Sequence, residues 1–452
     1  MDVGTRQRET YDALLKASNG LFVAERPPLF SPAIAAQDAD NSDGSFGHFA
    51  QTLLPLQFTN WADETRAHVQ SCYIGDWTPL HKIKIQGRQA LEFLSGLGLA
   101  NLSSFELGQI KHHIQLDENG WIASEGVLCR LGAEEFLYTA GSGNWLVWQF
   151  GQGSWDAEIS DLSPDLFILG VQGPSSLFAL ETATGESLRD IGFNRSRDAH
   201  IGGIAVRVLR TGISGELGYE LHGSSDDANQ VWAAVVQAGQ PFGLRQLGFR
   251  SQSVQHIEAG IATNGLDYMP AASVTPGAPT QFRRRPIGGS FVPTAFTDYF
   301  RKPGELGWGP RKNVPAHDFI GREAFGSDLT SAVPGRVPVG LVWNPTDVVG
   351  VFASLFDDGD SAEQMQLPRF NGPSFDQVLA GGTLVGVSTG RALSVNLKAT
   401  ISLCVIDPSS AAPGTEVTVL WGKPGTPQRE IRATVTMLPF KPDRRRTDVT
   451  KL

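Results

Sequence analysis

From residue 335 to the C-terminus the chain consists almost entirely of short β-forming runs. RVPVGLVW, GTLVGVSTG, TISLCVI, TEVTVLWG and EIRATVTML follow one another, separated by turns rich in Pro and Gly. Short strands in close succession predict a separate antiparallel β-barrel over 335–452. Upstream, strands and helices are interleaved, so the whole chain reads as α+β. The charged end, DRRRTDVTKL, is expected to be a solvated tail.

The upstream region carries several clear elements. HKIKIQG alternates apolar and polar residues like a half-buried strand, and RQALEFLSGLG puts Ala90, Leu91, Phe93, Leu94 and Leu97 on one helical stripe. DENG (117–120) is a turn, followed by VLCRL and EEFLYTAG as a hairpin. DLFILGVQGPSS reads as a buried strand ending in a Gly-Pro turn, before a helix capped by Ser175 or Ser176. IAVRVLRTG and GYELHG form a strand pair. DDANQVWAAVVQAG has an Asp start signal, the stripe Val231/Trp232/Val235 and a Gly239 stop, which predicts a helix. Residues 1–50 read as peripheral, with a short helix in YDALLKA and a polar surface stretch in AQDADNSDGSFGHF. Residues 51–270 read as one mixed α+β region. The Pro/Gly-rich 271–334, with its Arg283–Arg285 run, reads as a connection crossing the surface.

A chain of 452 residues with 41% hydrophobic and 19% charged residues can build two or three ordinary globular domains. Its formal net charge of −10 argues against general nucleic-acid binding, which needs a basic face to displace counterions. The three cysteines are far apart and form no CxxC pair, and the nine histidines show no HxxxH or HExxH, so neither a disulfide framework nor a metal site is expected. No apolar run approaches the roughly 20 residues of a membrane helix. The start, MDVGTRQRET, has no signal-peptide core. These features predict a cytoplasmic protein with no membrane and no protein partner.

Four segments resemble, in order, the aminomethyltransferase family, the glycine-cleavage T-protein fold: VQGPSS (171–176), TGISGELGYEL (211–221), FGLRQLGFR leading to IEAG (242–260), and HDFIGREAF (317–325). GGSFVPTAFTDYFRKPGELGWGP (288–310), LVWNPTDVVGVFASLFD (341–357) and TEVTVLWG (415–422) resemble one branch of it, the tetrahydrofolate-dependent aryl O-demethylases. That resemblance implies a three-domain disc with a central folate channel, in which 51–270 is the folate-binding region, made of two intertwined subdomains. It also implies transfer of a methyl group from a methoxyaromatic small molecule to tetrahydrofolate.

Such chemistry requires N5 of the pterin to be held in line with the methyl carbon, and the leaving phenolate to be stabilised or protonated. A carboxylate can accept both pterin donors, the 2-amino group and N3–H. Glu220, in GYELHG, stands at the family's pterin-reading position; read without the motif it is a solvated strand acid. Glu216 matches the first Glu of the signature and reads as a turn residue. Glu125, in NGWIASEG, stands where the family has an Asp near the folate nitrogens, with Ser124 replacing the preceding Asp. It is either a site carboxylate, catalytic or cofactor-binding, or a hairpin surface acid. Arg250 either grips a carboxylate of folate or substrate, or braces Glu258. Gln172 matches the family's turn, which it either fixes or uses to reach the cofactor. Trp77, Thr78 and Asn144 fall on segments that line the substrate pocket in that branch.

Two departures bear on the substrate. The branch has a Tyr two residues after the Arg; here it is Gln252, whose amide can donate a hydrogen bond but cannot transfer a proton at neutral pH. The Arg that precedes the branch's Asn-Trp pair is missing from TAGSGNW. His113 and His256 fall on pocket-lining segments, and each is either a substrate-contacting acid or a satisfied core histidine. Loss of the Tyr favours leaving phenols that are already acidic, so chlorinated or ortho-carboxyl methoxybenzoates such as dicamba are expected before vanillate or syringate. Transfer of an aminomethyl or N-methyl group, or folate binding without catalysis, are the alternatives.

Overall fold

The computed structural model describes residues 4–5, 8–9, 12, 29–50, 52–279, 286–310, 312–332, 335–367 and 372–452. The YDALLKA helix and the Arg283–Arg285 run lie almost wholly outside them.

Three small strands, β1 (Leu29–Phe30), β2 (Phe46–Phe49) and β3 (Thr52–Pro55), form one sheet. A six-stranded sheet contains β4 (Cys72–Asp76), and a five-stranded one contains β5 (His81–Gln86), β6 (Ile110–Leu116), β7 (Ile122–Arg130), β8 (Glu135–Ala140) and β9 (Glu158–Asp161) in the order β6-β7-β8-β5-β9. The chain then returns to the six-stranded sheet with β10 (Leu166–Gln172), β11 (Ser196–Ile201), β12 (Ile204–Leu209), β13 (Gly218–Ser224) and β14 (Leu244–Leu247), ordered β11-β12-β13-β10-β4-β14. The two sheets are thus intertwined in sequence. The closed barrel, β15-β18-β17-β16-β19-β20, is built from β15 (Val337–Trp343), β16 (Asp376–Ala380), β17 (Thr383–Ser394), β18 (Ala399–Ile406), β19 (Glu416–Trp421) and β20 (Arg429–Thr436). Every pairing in it is antiparallel, as its run of short strands predicts.

The helices follow from their apolar stripes and caps. α1 (Ile34–Ala39) and α2 (Trp61–Gln70) come first; Asn60 caps α2 by accepting from the backbone of Ala62 and Asp63. α3 (Ala90–Leu97) buries Ala90, Phe93, Leu94 and Leu97. α4 (Asn144–Phe150) is followed by α5 (Ser176–Thr184), whose N-cap position is Ser175 without a side-chain cap bond; the Ser176 hydroxyl donates instead to Leu217 O. α6 (Ala228–Gly239) packs Val231, Trp232 and Val235 into the core of the six-stranded sheet. α7 (Phe249–Glu258) spans the junction between that sheet and the barrel, and α8 (Arg322–Thr330) and α9 (Pro345–Ala353) follow.

Three sequence expectations need correction. The polar stretch from Ala36 is not wholly at the surface: Gln37 is buried and, with Ser31, bonds the Asp76 carboxylate, next to the buried Ala33 and Ile34. The described part of 271–310 does not merely cross the surface. Ala271, Ala272, Tyr299 and Phe300 build a core with Phe375 and Val387 of the barrel region. The charged C-terminal residues are not a solvated tail either, because Val449 is buried in the core of the six-stranded sheet.

Candidate active site on the six-stranded sheet

Strand register builds the site. Gly75 of β4, Gly170 of β10 and Glu220 of β13 stand opposite one another in a row across the sheet. Residues directly opposite share a face, and alternate residues along a strand share it too. One face therefore carries Tyr73, Gly75, Gly170, Gln172, Gly218, Glu220 and His222. The other carries Cys72, Ile74, Phe167, Leu169, Val171, Tyr219 and Leu221, which form the core beneath α5 and α6. The first face is left to polar and aromatic groups.

The glycines on that face make room. A Cβ on Gly75 or Gly170 would lie 2.4 or 2.8 Å from the Trp77 ring, so the indole rests directly on bare backbone. Trp77 also stacks with Tyr73 at 6.0 Å between ring centres. Its turn is held from below by Lys82, whose buried ammonium donates to Thr78 O at 2.6 Å and Leu80 O at 2.8 Å. Burial lowers that ammonium's pKa to about 8, against the pull of Asp76 and Asp161. Asp76 accepts from Ser31, from Gln37 at 2.6 Å and from the Thr78 backbone at 2.8 Å, fixing the end of β4.

Helix α7 lays Gln252 over this face. Its Nε2 donates to Asp76 O at 3.1 Å, while its Oε1 is buried without a partner. Glu220 is mostly buried, with Oε2 3.4 Å from His222 Nε2. Burial pushes the Tyr73 phenol well above its ordinary pKa, opposed by Gln255 and Ser214 beside it, so Tyr73 keeps its proton. Gln172 Oε1 accepts from Ser214 N at 3.1 Å, and its side chain fills the space over Gly212 and Gly218. A buried carboxylate, an aromatic wall and an orphaned amide oxygen suit a flat heterocycle with several polar edges. Trp77, Gln172, Glu220 and Gln252 are thus brought together, joined by Tyr73, Gln255 and Asp76, which sequence reasoning did not single out. CYIGD was the available signal; all five residues are buried, so it shows no alternation.

The other expected site residues lie elsewhere. Thr78 spends its hydroxyl on the backbone of Ile168, accepting at 3.1 Å, and acts in the fold of the turn. Asn144 lines a second cleft of about 290 Å³ with Ser124, Ser142, Trp145, Asn264 and Pro270. Glu125 pairs with His112 at 2.8 Å, and His112 packs edge-on against Trp308. Arg250, at the start of α7, donates to Gln57 at 3.1 Å. It does not brace Glu258, which is held by His68, Ser394 and Asn396. His256 is buried on α7 with Nε2 3.9 Å from the Asp267 carboxylate.

His113 corrects the reading of a substrate-facing acid. It is fully buried, with Nε2 on Leu94 O at 2.9 Å and Nδ1 on the Gln115 amide at 3.1 Å. Burial lowers its pKa to about 4, so it is a neutral core histidine near pH 7.

Residues 36–276 match the family model described as the GCVT N-terminal domain, which is more than half of the chain. The chain belongs to the aminomethyltransferase family. It is 35% identical over 435 residues to the sesamin methylene transferase of a Sinomonas species, covering 90% of this chain and 94% of that protein. It is 30% identical to the syringate O-demethylase of a Sphingobium species, covering 86% and 90%. The glycine-cleavage aminomethyltransferase T of Bartonella henselae has the same fold, with a TM-score of 0.66 at 20% identity over 92% of this chain and 98% of that one. Members of this family are tetrahydrofolate-dependent one-carbon transferases, and the chain is an enzyme of that class.

Proposed function

We propose that this enzyme moves a methyl group from an aromatic methyl ether to tetrahydrofolate, releasing a phenol. The supporting observation is the walled polar face of the six-stranded sheet. There Glu220 is the acceptor for pterin donors, and the buried Gln252 Oε1 and protonated Tyr73 line its inner end. Bound tetrahydrofolate supplies the nucleophilic nitrogen that takes the carbon. Trp77 and Tyr73 exclude water from the approach, and Glu220 fixes the orientation of the ring, so most of the rate gain comes from alignment.

Gln252 decides what the site does for the leaving oxygen. One of its two N–H donors is engaged by Asp76 O, and an amide has no proton to transfer at neutral pH. Position 252 therefore offers the departing phenolate at most a hydrogen bond and no proton, and donors whose phenols are acidic react faster. Chlorinated or ortho-carboxyl methoxybenzoates are the preferred substrates on this reading, with localisation in the cytoplasm. A second reading, transfer of a methylene unit, is favoured by the greater similarity to the sesamin methylene transferase, 35% against 30% for the syringate enzyme.

The test is kcat/KM for a series of methoxyarenes against the pKa of the leaving phenol. A steep gain with more acidic phenols is expected. A flat series, or faster turnover of vanillate than of a chlorinated 2-methoxybenzoate, contradicts the role given to Gln252 and points to a protonating group such as His256.

A further inference from the structure

We propose that the C-terminal strap, residues 438–449, positions the tetrahydrofolate site, with Lys441 acting through Glu216 on the loop that leads into β13. The inference rests on the reading of the β13 face as the folate site. It adds a positioning residue from the far end of the chain, more than 200 residues away in sequence.

The loop in question, 210–217, delivers Glu220 to the sheet. Its inner side is set by Gln172, which accepts from Ser214 N at 3.1 Å, and by Gly173, whose N–H donates to Leu217 O at 2.8 Å. Its outer side is set by the strap. Phe440 N donates to Glu258 O at 3.1 Å, and Leu438 and Pro439 pack on Gly260, so the strap is first fastened to the end of α7. Lys441 Nζ then reaches Glu216 Oε1 at 2.6 Å, with side-chain exposures of only 8% and 2%. Arg444 N donates to Gly215 O at 2.8 Å. Further along, Thr447 O accepts from the buried Arg210, which also donates to Ile191 O at 3.0 Å. Val449, in the core, anchors the end.

The physical argument turns on Glu216. Its carboxylate is buried, its Oε2 has no hydrogen-bond partner, and the Arg444 guanidinium is 3.8 Å away. Lys441 therefore supplies its close counter-charge. A buried carboxylate without that partner must either rise toward water or take up a proton. Gly215, at φ +76°, is the hinge at which the loop would rise; a Cβ there would sit 3.1 Å from Ala259 of the α7 terminus. Movement of Gly215 and Glu216 carries Leu217 and the start of β13 with it, and so shifts Glu220. The strap thus couples one ion pair to the geometry of the pterin-reading acid.

The experiment measures tetrahydrofolate affinity by calorimetry on the full chain, without any aryl donor, together with KM and kcat where turnover is seen. Lys441→Met is expected to weaken tetrahydrofolate binding by about tenfold, with kcat at saturation little changed, because the loop is displaced and the reacting groups are retained. Lys441→Arg, which keeps the charge, is expected to restore binding. The double variant Lys441→Met/Glu216→Gln leaves no unpaired buried ion to drive the loop outward, so it stays folded and is expected to recover most of the affinity lost in the single variant. A folded double variant as weak as Lys441→Met overturns the proposal, as does an Arg variant as weak as Met. Failure of the wild-type chain to bind tetrahydrofolate overturns both this proposal and the site reading beneath it. Normal binding without turnover of aryl ethers overturns only the donor assignment, and the affinities of the variants still decide the strap.

Discussion

His68→Leu is expected to destabilise the protein by about 3–5 kcal/mol, seen as a lower denaturant midpoint, because it leaves a buried carboxylate without its ring N–H partner. His68 Nε2 lies 2.8 Å from Glu258 Oε2, and both side chains are completely buried. Ser394 donates to Glu258 Oε1 at 2.6 Å and Asn396 to Oε2 at 3.1 Å. One carboxylate thus ties α2, α7 and the barrel together at their junction. Replacing both partners, His68→Leu with Glu258→Met, removes the unpaired ion and should recover much of the loss. A double variant no more stable than the single one would mean that packing, and not the buried His68–Glu258 contact, holds the junction.

The same pair sets a pH dependence. Burial alone would raise the Glu258 carboxyl, but His68, Ser394 and Asn396 together hold its pKa below the ordinary 4.5. A depressed carboxylate contributes stability that is fully present above its unfolded value and is lost as pH falls through the folded one. The junction should therefore weaken on acidification below about pH 4.5. In the double variant that acid step should shrink.

Glu220→Gln is expected to weaken tetrahydrofolate binding by about 2–4 kcal/mol while leaving the fold intact. A carboxylate offers two acceptors to the paired pterin donors. A Gln offers one acceptor and one donor, so one contact turns repulsive and a buried donor is left unpaired. Glu220 lies on a strand paired on both sides, and its side-chain partner is His222 at 3.4 Å, so the substitution disturbs little else. Calorimetry with tetrahydrofolate is the measurement. Wild-type affinity in the variant removes Glu220 from the site.

Local signals carried much of the architecture, and the reasons are visible in individual elements. The barrel was readable because five of its strands are rich in β-branched residues and bounded by Pro/Gly turns. The sixth, DQVLA, is short and carries one such residue, and it did not stand out. Helix α6 announced itself through Val231, Trp232 and Val235 at helical spacing. The tail misled because a run of charges reads as solvated, whereas its fixing partners, Gly215, Glu216 and Arg210, are distant in sequence.

At the site, motif positions were more legible than side-chain directions. His112 and His113 differ by one residue on β6, and strand parity sends the first to Glu125 and the second into the core. Arg250 and Glu258 stand at opposite ends of α7, about 12 Å apart along the axis, too far for a brace. Asp76 and Gln255 belong to no expected motif, and their importance comes from contacts across the sheet and with α1 and α7.

The central claim, that an aryl ether carbon is passed to tetrahydrofolate, is tested most directly with a methoxyarene carrying ¹³C in its methyl group. The chain, tetrahydrofolate and the labelled ether are incubated together, and the folate product is identified by mass spectrometry. The account predicts one labelled carbon in 5-methyltetrahydrofolate and an equal amount of free phenol. Tetrahydrofolate recovered unlabelled, with the ether intact across a panel of chlorinated and ortho-carboxyl methoxybenzoates, would contradict it.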